Sequence, residues 1–222
     1  MALAPAGRAK EQDIGTLIKP AVAGAVVVDV NIDDLVKTAI AVRGALRRED
    51  FRNDLADFLA REYPSMTMKD AIPEIPSKRV RFLEEDARDH PPSREDVAKA
   101  KATMDALGPQ YRDAFRQHNI VAIAYPTMPM PAPLLPTDGD AVPPTFEVNG
   151  RQYPDTAILR NSFSAPAFRA PALSIPAGLT SEGLPAGLEI DGLPGEDNQL
   201  LSLGMAIEAV LGPLPPPTFR NG

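Results

Sequence analysis

The chain has 222 residues, 44% of them hydrophobic and 24% charged, a composition that excludes wholesale disorder. Its formal net charge of −7 at pH 7 argues against nucleic acid or an anionic membrane as a partner. Because it contains no cysteine and only His90 and His118 as histidines, disulfides and thiolate sites are excluded and a histidine metal centre is not expected. We predict no metal and no cofactor.

The first predicted elements are one strand and two helices. The β-branched run Ala25–Val30 favours a short buried strand over a helix. Asn31 then offers a helix N-cap, and Asp33 and Asp34 lie where the helix dipole favours negative charge. A second, charged helix is predicted over Glu49–Tyr63, because its apolar residues fall on one face.

The middle of the chain contains an acidic segment followed by a long helix. The segment Glu84–Asp89 could form a divalent-ion site or an acid/base pair, but the neighbouring arginines indicate a salt-bridged helix face. Ser93 begins the clearest helical pattern, which ends at His118. Gly108-Pro109 should kink or split that helix, and Ile120–Ala124 predicts a strand after it.

The last third predicts a β-hairpin and a final helix. Ala172–Ile175 and Ala186–Ile190 are short apolar strands joined by the polar turn Thr180–Gly183, which is typical of a hairpin with a longer loop. A helix should run from about Glu196 to Gly212. Strands separated by helices indicate an α/β protein.

Signatures of hydrolytic or phosphate-binding chemistry are missing from the sequence. It contains no Gly-x-Ser-x-Gly elbow, no Ser-x-x-Lys, and no adjacent pair of glycines or of serines. Its glycines fit neither the dinucleotide-binding nor the P-loop fingerprint. We therefore assign no catalytic residue in this chain.

Several segments resemble the amidase signature family. Ala172–Gly192, ALSIPAGLTSEGLPAGLEIDG, is similar to that family's Pro-Ala-Leu-Ser-Ile-Pro-like strand followed by Gly-Leu-Pro-x-Gly-Leu. Tyr125–Pro129 resembles its strand-then-Pro-Thr-x-Pro segment, and Ala23–Leu35 resembles its Ala-Gly-Ala strand-to-helix segment. The ending, Asp197–Gly212 followed by prolines, is similar to the branch that hydrolyses aryl-acetamides such as indoleacetamide and mandelamide. The resemblance covers about residues 20–217.

The resemblance implies the C-terminal half of such an enzyme: an α/β fold with a partial mixed sheet flanked by helices. We expect a single partial domain over residues 1–222, with a mainly helical layer over 31–118 and strands, a proline-rich loop and a helix over 119–222. Family members use a lysine, a bridging serine and a nucleophilic serine from their first half, and none of these maps onto this chain. Within Ser162–Pro171, the bulk of Phe168 and Arg169 should alter the pocket wall.

The resemblance also implies a function, amide C–N hydrolysis through a serine acyl-enzyme, for which this chain supplies scaffold and pocket wall but is inactive alone. Thr127, Met128 and Asn161 are the candidate pocket contacts. The expected partners are a small-molecule amide once the chain is complemented, and an N-terminal half or another copy of the chain. A cytoplasmic location is expected, with no nucleic-acid or membrane partner.

Two alternatives remain open at this point. The chain could be a non-catalytic remnant or binding protein with an amidase-derived fold. It could also be a truncated amide-handling subunit of a transamidating complex, which the aryl-acetamidase-like ending makes less favoured. Because half a sheet leaves a strand edge unpaired, we also predict that the isolated chain associates or aggregates.

Overall fold

Residues 24–132, 145–148, 150–154 and 157–214 are described by a computed structural model. They fall into two compact units. The helical unit contains residues 33–111 with the short strands near residue 150, and the sheet unit contains residues 24–32, 112–132 and 158–214. A single domain over residues 1–222 stays a prediction.

The helical unit begins with one long helix where the sequence predicted two. Helix α1 spans Asp33–Glu62, so the prediction of a separate helix over Glu49–Tyr63 was wrong. Between the two predicted segments only Gly44 disfavours a helix, and one glycine costs about 1 kcal/mol relative to alanine. That cost is too small to end a helix that has apolar residues on both sides.

Two shorter helices follow α1. Helix α2, Met68–Ala71, leads into a 3₁₀ turn over Ile72–Glu74. Helix α3 spans Lys78–Asp89, and the Ser77 side chain caps it by accepting a hydrogen bond from the backbone N–H of Val80. Serine is favoured at this position because its oxygen satisfies an otherwise unpaired donor of the first turn.

Arginines of α1 contact α3. The Arg47 guanidinium lies 3.3 Å from Glu84 Oε2 and donates to the Leu83 carbonyl at 3.0 Å. Arg52 donates to the Arg88 carbonyl at 2.6 Å. The interpretation of the acidic segment as a salt-bridged helix face is therefore confirmed, but Glu84 and Asp86 pair with Arg47 and Arg48 of α1, whereas the sequence indicated the arginines next to the segment.

Helix α4 spans Arg94–His118 without interruption. Its first turn is capped by Ser93, whose hydroxyl oxygen accepts from the Asp96 backbone N–H at 3.0 Å. The helix is not split at Pro109, although proline removes one backbone hydrogen bond, and a kink there stays a prediction. Leu107 and Tyr111, on either side, are 3% and 0% exposed, so their burial offsets that loss.

Within the described residues, five strands form two sheets, and every pairing is antiparallel, so the prediction of a mixed sheet was wrong for this part of the chain. Strand β1 spans Ile123–Pro126, and β2, Thr145–Val148, pairs with β3, Arg151–Pro154. Strands β4, Ala172–Leu179, and β5, Pro185–Asp191, form the predicted hairpin, and β5 lies between β1 and β4. The hairpin prediction is confirmed, although β4 extends four residues beyond its predicted end and β1 begins three residues later than predicted.

The predicted strand over Ala25–Val30 was wrong. These residues lie outside any helix or strand, and Val26, Val27 and Val28 are 89%, 64% and 45% exposed. Only Val30 is buried, at 8% exposure. A β-branched run becomes a buried strand only where a neighbouring strand pairs with it, and none of the described strands does so.

The core of the sheet unit lies between the hairpin and the last helix. After the short helix α5, Ser164–Phe168, helix α6 spans Asp197–Leu211, close to the prediction. It packs against one face of the sheet, and the buried cluster contains Ile175, Leu188, Ile190, Leu200 and Ile207. The opposite face of β5 is polar.

Candidate functional site

The central strand β5 has one apolar and one polar face. Side chains alternate along a strand, so Leu188 and Ile190 reach the core while Gly187, Glu189 and Asp191 lie on the opposite side. In register, Glu189 lies beside Tyr125 of β1 and Ser174 of β4. We call this side of the sheet the polar face, made of Tyr125, Thr127, Ser174, Gly187, Glu189 and Asp191.

Asp191 is the most buried group of the polar face. It is 0% exposed, and the Tyr125 hydroxyl donates a 2.5 Å hydrogen bond to its Oδ2 atom. Burial raises the pKa of Asp191, and the hydroxyls of Tyr125 and Ser164 oppose that shift. The pKa of Tyr125 is also raised, chiefly by burial and then by the negative charge of Asp191. In this hydrogen-bonded pair, both the donor Tyr125 and the acceptor Asp191 are therefore harder to ionise than they would be in water.

Glu189 is a second buried carboxyl group, two residues before Asp191. Its side chain is on the same face, and the residue is 8% exposed. Burial, and next the charge of Asp191, raise the pKa of Glu189 to about 7. The polar face therefore changes its charge near neutral pH, which an exposed glutamate would not do.

Within the polar face, Thr127 contacts both strands of the hairpin. Its backbone N–H donates to the Gly187 carbonyl at 2.9 Å, and its hydroxyl shares a 2.6 Å hydrogen bond with the Ser174 hydroxyl. A Cβ atom at residue 187 would lie only 2.7 Å from Thr127 Oγ1. Glycine is therefore required at this position for the hydroxyl pair to approach the strand.

Asn161 contacts the backbone next to Thr127 from a separate element. It begins a 3₁₀ turn over Asn161–Phe163, which leads into helix α5, Ser164–Phe168. Its side-chain amide donates to the Pro126 carbonyl at 2.7 Å, and its own carbonyl lies 3.4 Å from the Tyr125 hydroxyl. The structure thus brings Asn161 to the peptide group that directly precedes Thr127.

Met128, the third candidate, follows Thr127 in the segment after β1. Its side chain is 39% exposed, so an apolar group is accessible there. The contact of Thr127, Met128 and Asn161 with a substrate stays a prediction. Phe168, expected to alter the pocket wall, is 3% exposed, and the residue is packed within the protein.

The sequence analysis missed the buried polar groups Ser164, Glu189 and Asp191 and the half-buried Tyr125. One signal was available for two of them: Glu189 and Asp191 alternate with apolar residues in a strand. Period-two alternation usually indicates a face open to water. Only the tertiary structure shows that this face is closed over the two carboxyl groups.

Two other kinds of site are absent from the described ranges. No group of three or more His, Asp or Glu side chains there is placed to hold a metal ion. No helix in the same ranges is both long enough and apolar enough to cross a membrane.

Comparison with known proteins gives a matching family model and relatives that agree with it. Residues 21–201 match the family model described as Amidase. The chain is 31% identical to a mandelamide hydrolase of Pseudomonas putida over 211 residues, which are 90% of this chain and 39% of that protein. It is 29% identical to an indoleacetamide hydrolase of Agrobacterium vitis, over 73% of this chain and 34% of that protein.

Solved structures show the same fold. A crystal structure of an amidase superposes with a TM-score of 0.67 at 24% identity, covering 90% of this chain and 41% of that one. The peptide amidase of Stenotrophomonas maltophilia superposes with a TM-score of 0.63 at 20% identity, covering 90% of this chain and 40% of that one. The predicted partial amidase fold of helices and sheet is confirmed. This chain belongs to the amidase family and spans 34–41% of the length of these relatives.

Proposed function

We propose that this chain forms one part of an amidase-type hydrolase and acts on amide C–N bonds only when the remaining part supplies the nucleophile. One observation supports this most directly. The family match covers most of this chain, yet the chain accounts for only 39% of the mandelamide hydrolase.

The hydroxyl groups of the polar face do not have the environment of a nucleophile. Amide hydrolysis needs a hydroxyl activated by a base, and donors that stabilise the oxyanion. The raised pKa of Tyr125 makes its phenolate inaccessible at neutral pH. Thr127 and Ser174 hydrogen-bond to each other, and Ser164 is 3% exposed. This hydrogen bonding and burial support a role for these hydroxyl groups in shaping the site.

In this proposal the segment after β1 forms part of the substrate pocket. Asn161 and Gly187 hydrogen-bond to the carbonyl and the N–H of the one peptide group that joins Pro126 to Thr127. These two contacts position Thr127 and, next to it, the exposed Met128 side chain. A thioether is polarizable and contacts aromatic rings favourably. Together with the similarity to mandelamide and indoleacetamide hydrolases, this supports aryl-acetamides as the substrate class.

Ammonia release from mandelamide and indoleacetamide tests the proposal. The purified chain should give no release alone. Release should appear when the chain is combined with the separately produced part of the Pseudomonas putida mandelamide hydrolase that lies outside the matched region. Met128→Ala should then raise KM for the aryl substrates more than it lowers kcat, because the proposed contact is with the substrate and not the reacting atoms.

Two results would contradict the proposal. Hydrolysis by the chain alone, with stoichiometric labelling by a serine-reactive probe, would show an activated hydroxyl within it. An associated pair of proteins without hydrolysis would favour the non-catalytic remnant or binding protein. A cytoplasmic location stays a prediction of the sequence.

A further inference from the structure

Two hydroxyl groups of the polar face are accessible to a molecule in solution. Asp191 and Glu189 are 0% and 8% exposed, so their carboxyl groups are largely closed off. Ser174 is exposed and Thr127 is half-buried, and their hydroxyl oxygens are 2.6 Å apart. We call these two groups the hydroxyl pair; a small molecule that approaches this face meets it before it meets either carboxyl group.

The hydroxyl pair is held in place by the strands that carry it. The Thr127 N–H donates to the Gly187 carbonyl at 2.9 Å, and Ser174 lies on β4 in register with Glu189 of β5. The pair closes over Gly187, where a Cβ atom would lie 2.7 Å from Thr127 Oγ1 and 3.0 Å from Ser174 Oγ. Groups that are already in position lose little conformational freedom when a ligand binds.

The hydrogen-bonding capacity of the pair matches that of a third hydroxyl group. Each hydroxyl has one donor and two acceptor sites. The bond between Thr127 and Ser174 uses one donor and one acceptor, and among the described residues neither side chain makes another hydrogen bond. One O–H donor and three acceptor sites therefore remain, which suits a ligand group that both donates and accepts.

The surroundings of the pair favour an uncharged ligand that also has an apolar part. Glu189 lies beside Ser174, and its pKa of about 7 makes it partly negative at neutral pH, which disfavours an anionic ligand group. Met128 follows Thr127 directly, and its side chain is 39% exposed. A ligand that contacts both residues must carry its hydroxyl group close to an apolar or aromatic group.

We propose that the hydroxyl pair of Thr127 and Ser174 recognises a hydroxyl group on the substrate. This inference rests on the proposed function, in which the substrates are aryl-acetamides. The carbon between the ring and the carboxamide adjoins the ring that Met128 is proposed to contact, so the recognised hydroxyl belongs on that carbon. The inference narrows the substrate class to 2-hydroxy-2-arylacetamides, of which mandelamide is one, and makes Thr127 and Ser174 specificity-determining residues.

Two amides that differ only by that hydroxyl group test the inference. The full 222-residue chain is combined with the part of the Pseudomonas putida mandelamide hydrolase outside the matched region, and kcat/KM is measured for mandelamide and for phenylacetamide. The ratio of the two values should favour mandelamide. It should fall by about fivefold in Thr127→Val and in Ser174→Ala, because each change removes one hydrogen-bonding group. Thr127→Ser keeps the hydroxyl and should keep most of the ratio.

The matched controls remove an exposed hydroxyl group elsewhere in the chain. Thr38→Val and Ser202→Ala each delete a hydroxyl that donates to a carbonyl of its own helix, that of Asp34 at 2.6 Å and that of Asn198 at 2.8 Å. Both should keep the ratio of the unmodified chain. Circular dichroism checks that each variant is folded, and if Thr127→Val is not, the exposed position Ser174 decides through Ser174→Ala.

The outcomes separate this inference from the proposed function. Hydrolysis with an unchanged ratio in Ser174→Ala and Thr127→Val supports the proposed function and overturns recognition of the hydroxyl. If no hydrolysis occurs, calorimetry gives the dissociation constants of both amides for the complex, or for the chain alone where no complex forms. Tighter binding of mandelamide that Ser174→Ala abolishes then supports the inference and contradicts the proposed activity. Equal binding of the two amides, or binding of neither, overturns the inference.

Discussion

The Tyr125 hydroxyl lies 2.5 Å from Asp191 Oδ2 and donates a hydrogen bond that joins β1 to β5 across the polar face. The carboxylate is fully buried, so this donor compensates part of the cost of removing the group from water. The same tyrosine is followed directly by Pro126 and Thr127. The interaction therefore links a buried acid to the segment proposed to contact substrate.

Removing that donor should destabilise the fold. Tyr125→Phe leaves a buried carboxyl oxygen without its partner, and the expected loss is about 1–3 kcal/mol in the free energy of unfolding. Urea denaturation at pH 7 measures it. Tyr63→Phe is the control, because Tyr63 is 54% exposed and should give no loss. Equal free energies of unfolding for the two variants would show that the hydrogen bond makes no net contribution to stability.

Stability should fall as pH rises through neutrality. Folding raises the pKa of Glu189 from 4.5 to about 7, so the folded chain binds this proton more tightly than the unfolded chain. The stabilisation is complete below pH 4.5 and is lost as pH rises through about 7, with a size of about 3 kcal/mol. The raised pKa of Asp191 acts in the same direction.

Glu189→Gln tests the origin of that pH dependence. Midpoints of thermal unfolding between pH 4.5 and 8.5 should decline for the unmodified chain and much less for the variant. Glu182→Gln, an exposed position in the hairpin turn, should decline like the unmodified chain. If Glu189→Gln kept the full decline, other groups would have to be responsible.

A methyl group at residue 187 should disrupt the Thr127 contact. In Gly187→Ala the new Cβ would lie 2.7 Å from Thr127 Oγ1 and 3.0 Å from Ser174 Oγ, and overpacking of this kind costs about 1–3 kcal/mol. Adding Thr127→Ala should recover part of that loss by removing the nearer oxygen. Denaturation of both single variants and the double variant gives the coupling energy, and strictly additive effects would contradict the steric explanation.

Two glycines within helices should respond oppositely to alanine. At Gly204 of α6, a Cβ would overlap Leu173 Cδ2 of the facing strand, whereas at Gly44 of α1 the nearest atom is Arg48 Nη1 at 3.9 Å. Gly44→Ala should therefore stabilise the chain by up to about 1 kcal/mol through helix propensity. Gly204→Ala should destabilise it by up to about 2 kcal/mol, since overpacking costs about 1–3 kcal/mol and exceeds that gain. Urea denaturation measures the free energy of unfolding of both variants, and changes of the same sign would contradict this expectation.

The elements predicted well from sequence are those specified by local patterns. The hairpin had apolar strands around a polar turn, and α6 had apolar residues at helical spacing before Gly212-Pro213. The errors concern positions where distant contacts decide the outcome. Ala25–Val30 has a strand composition but pairs with none of the described strands, and Pro109 is tolerated within α4 by the burial of its neighbours.

The candidate site was predictable only in part. Thr127 and Asn161 were identified through the family resemblance. The structure joins them through the Pro126 carbonyl, although Pro126 and Asn161 are 35 positions apart in the sequence. Glu189 and Asp191 could not be recognised as buried, because alternating acidic residues fit a solvated strand equally well. Their environment depends on Tyr125, which is 66 residues distant from Asp191 along the chain.

The contacts that arginines of α1 make with α3 differ in the charge of the acceptor. Arg47 and Arg48 pair with the carboxylates of Glu84 and Asp86, and Arg47 also donates to the Leu83 carbonyl. Arg52 donates to the neutral carbonyls of Ala87 and Arg88 at the end of α3. Dissolved ions compete with the first attraction far more than with the second. The register of these helices should consequently persist in concentrated salt, with Arg52 preserving the alignment after the ionic attraction has been screened.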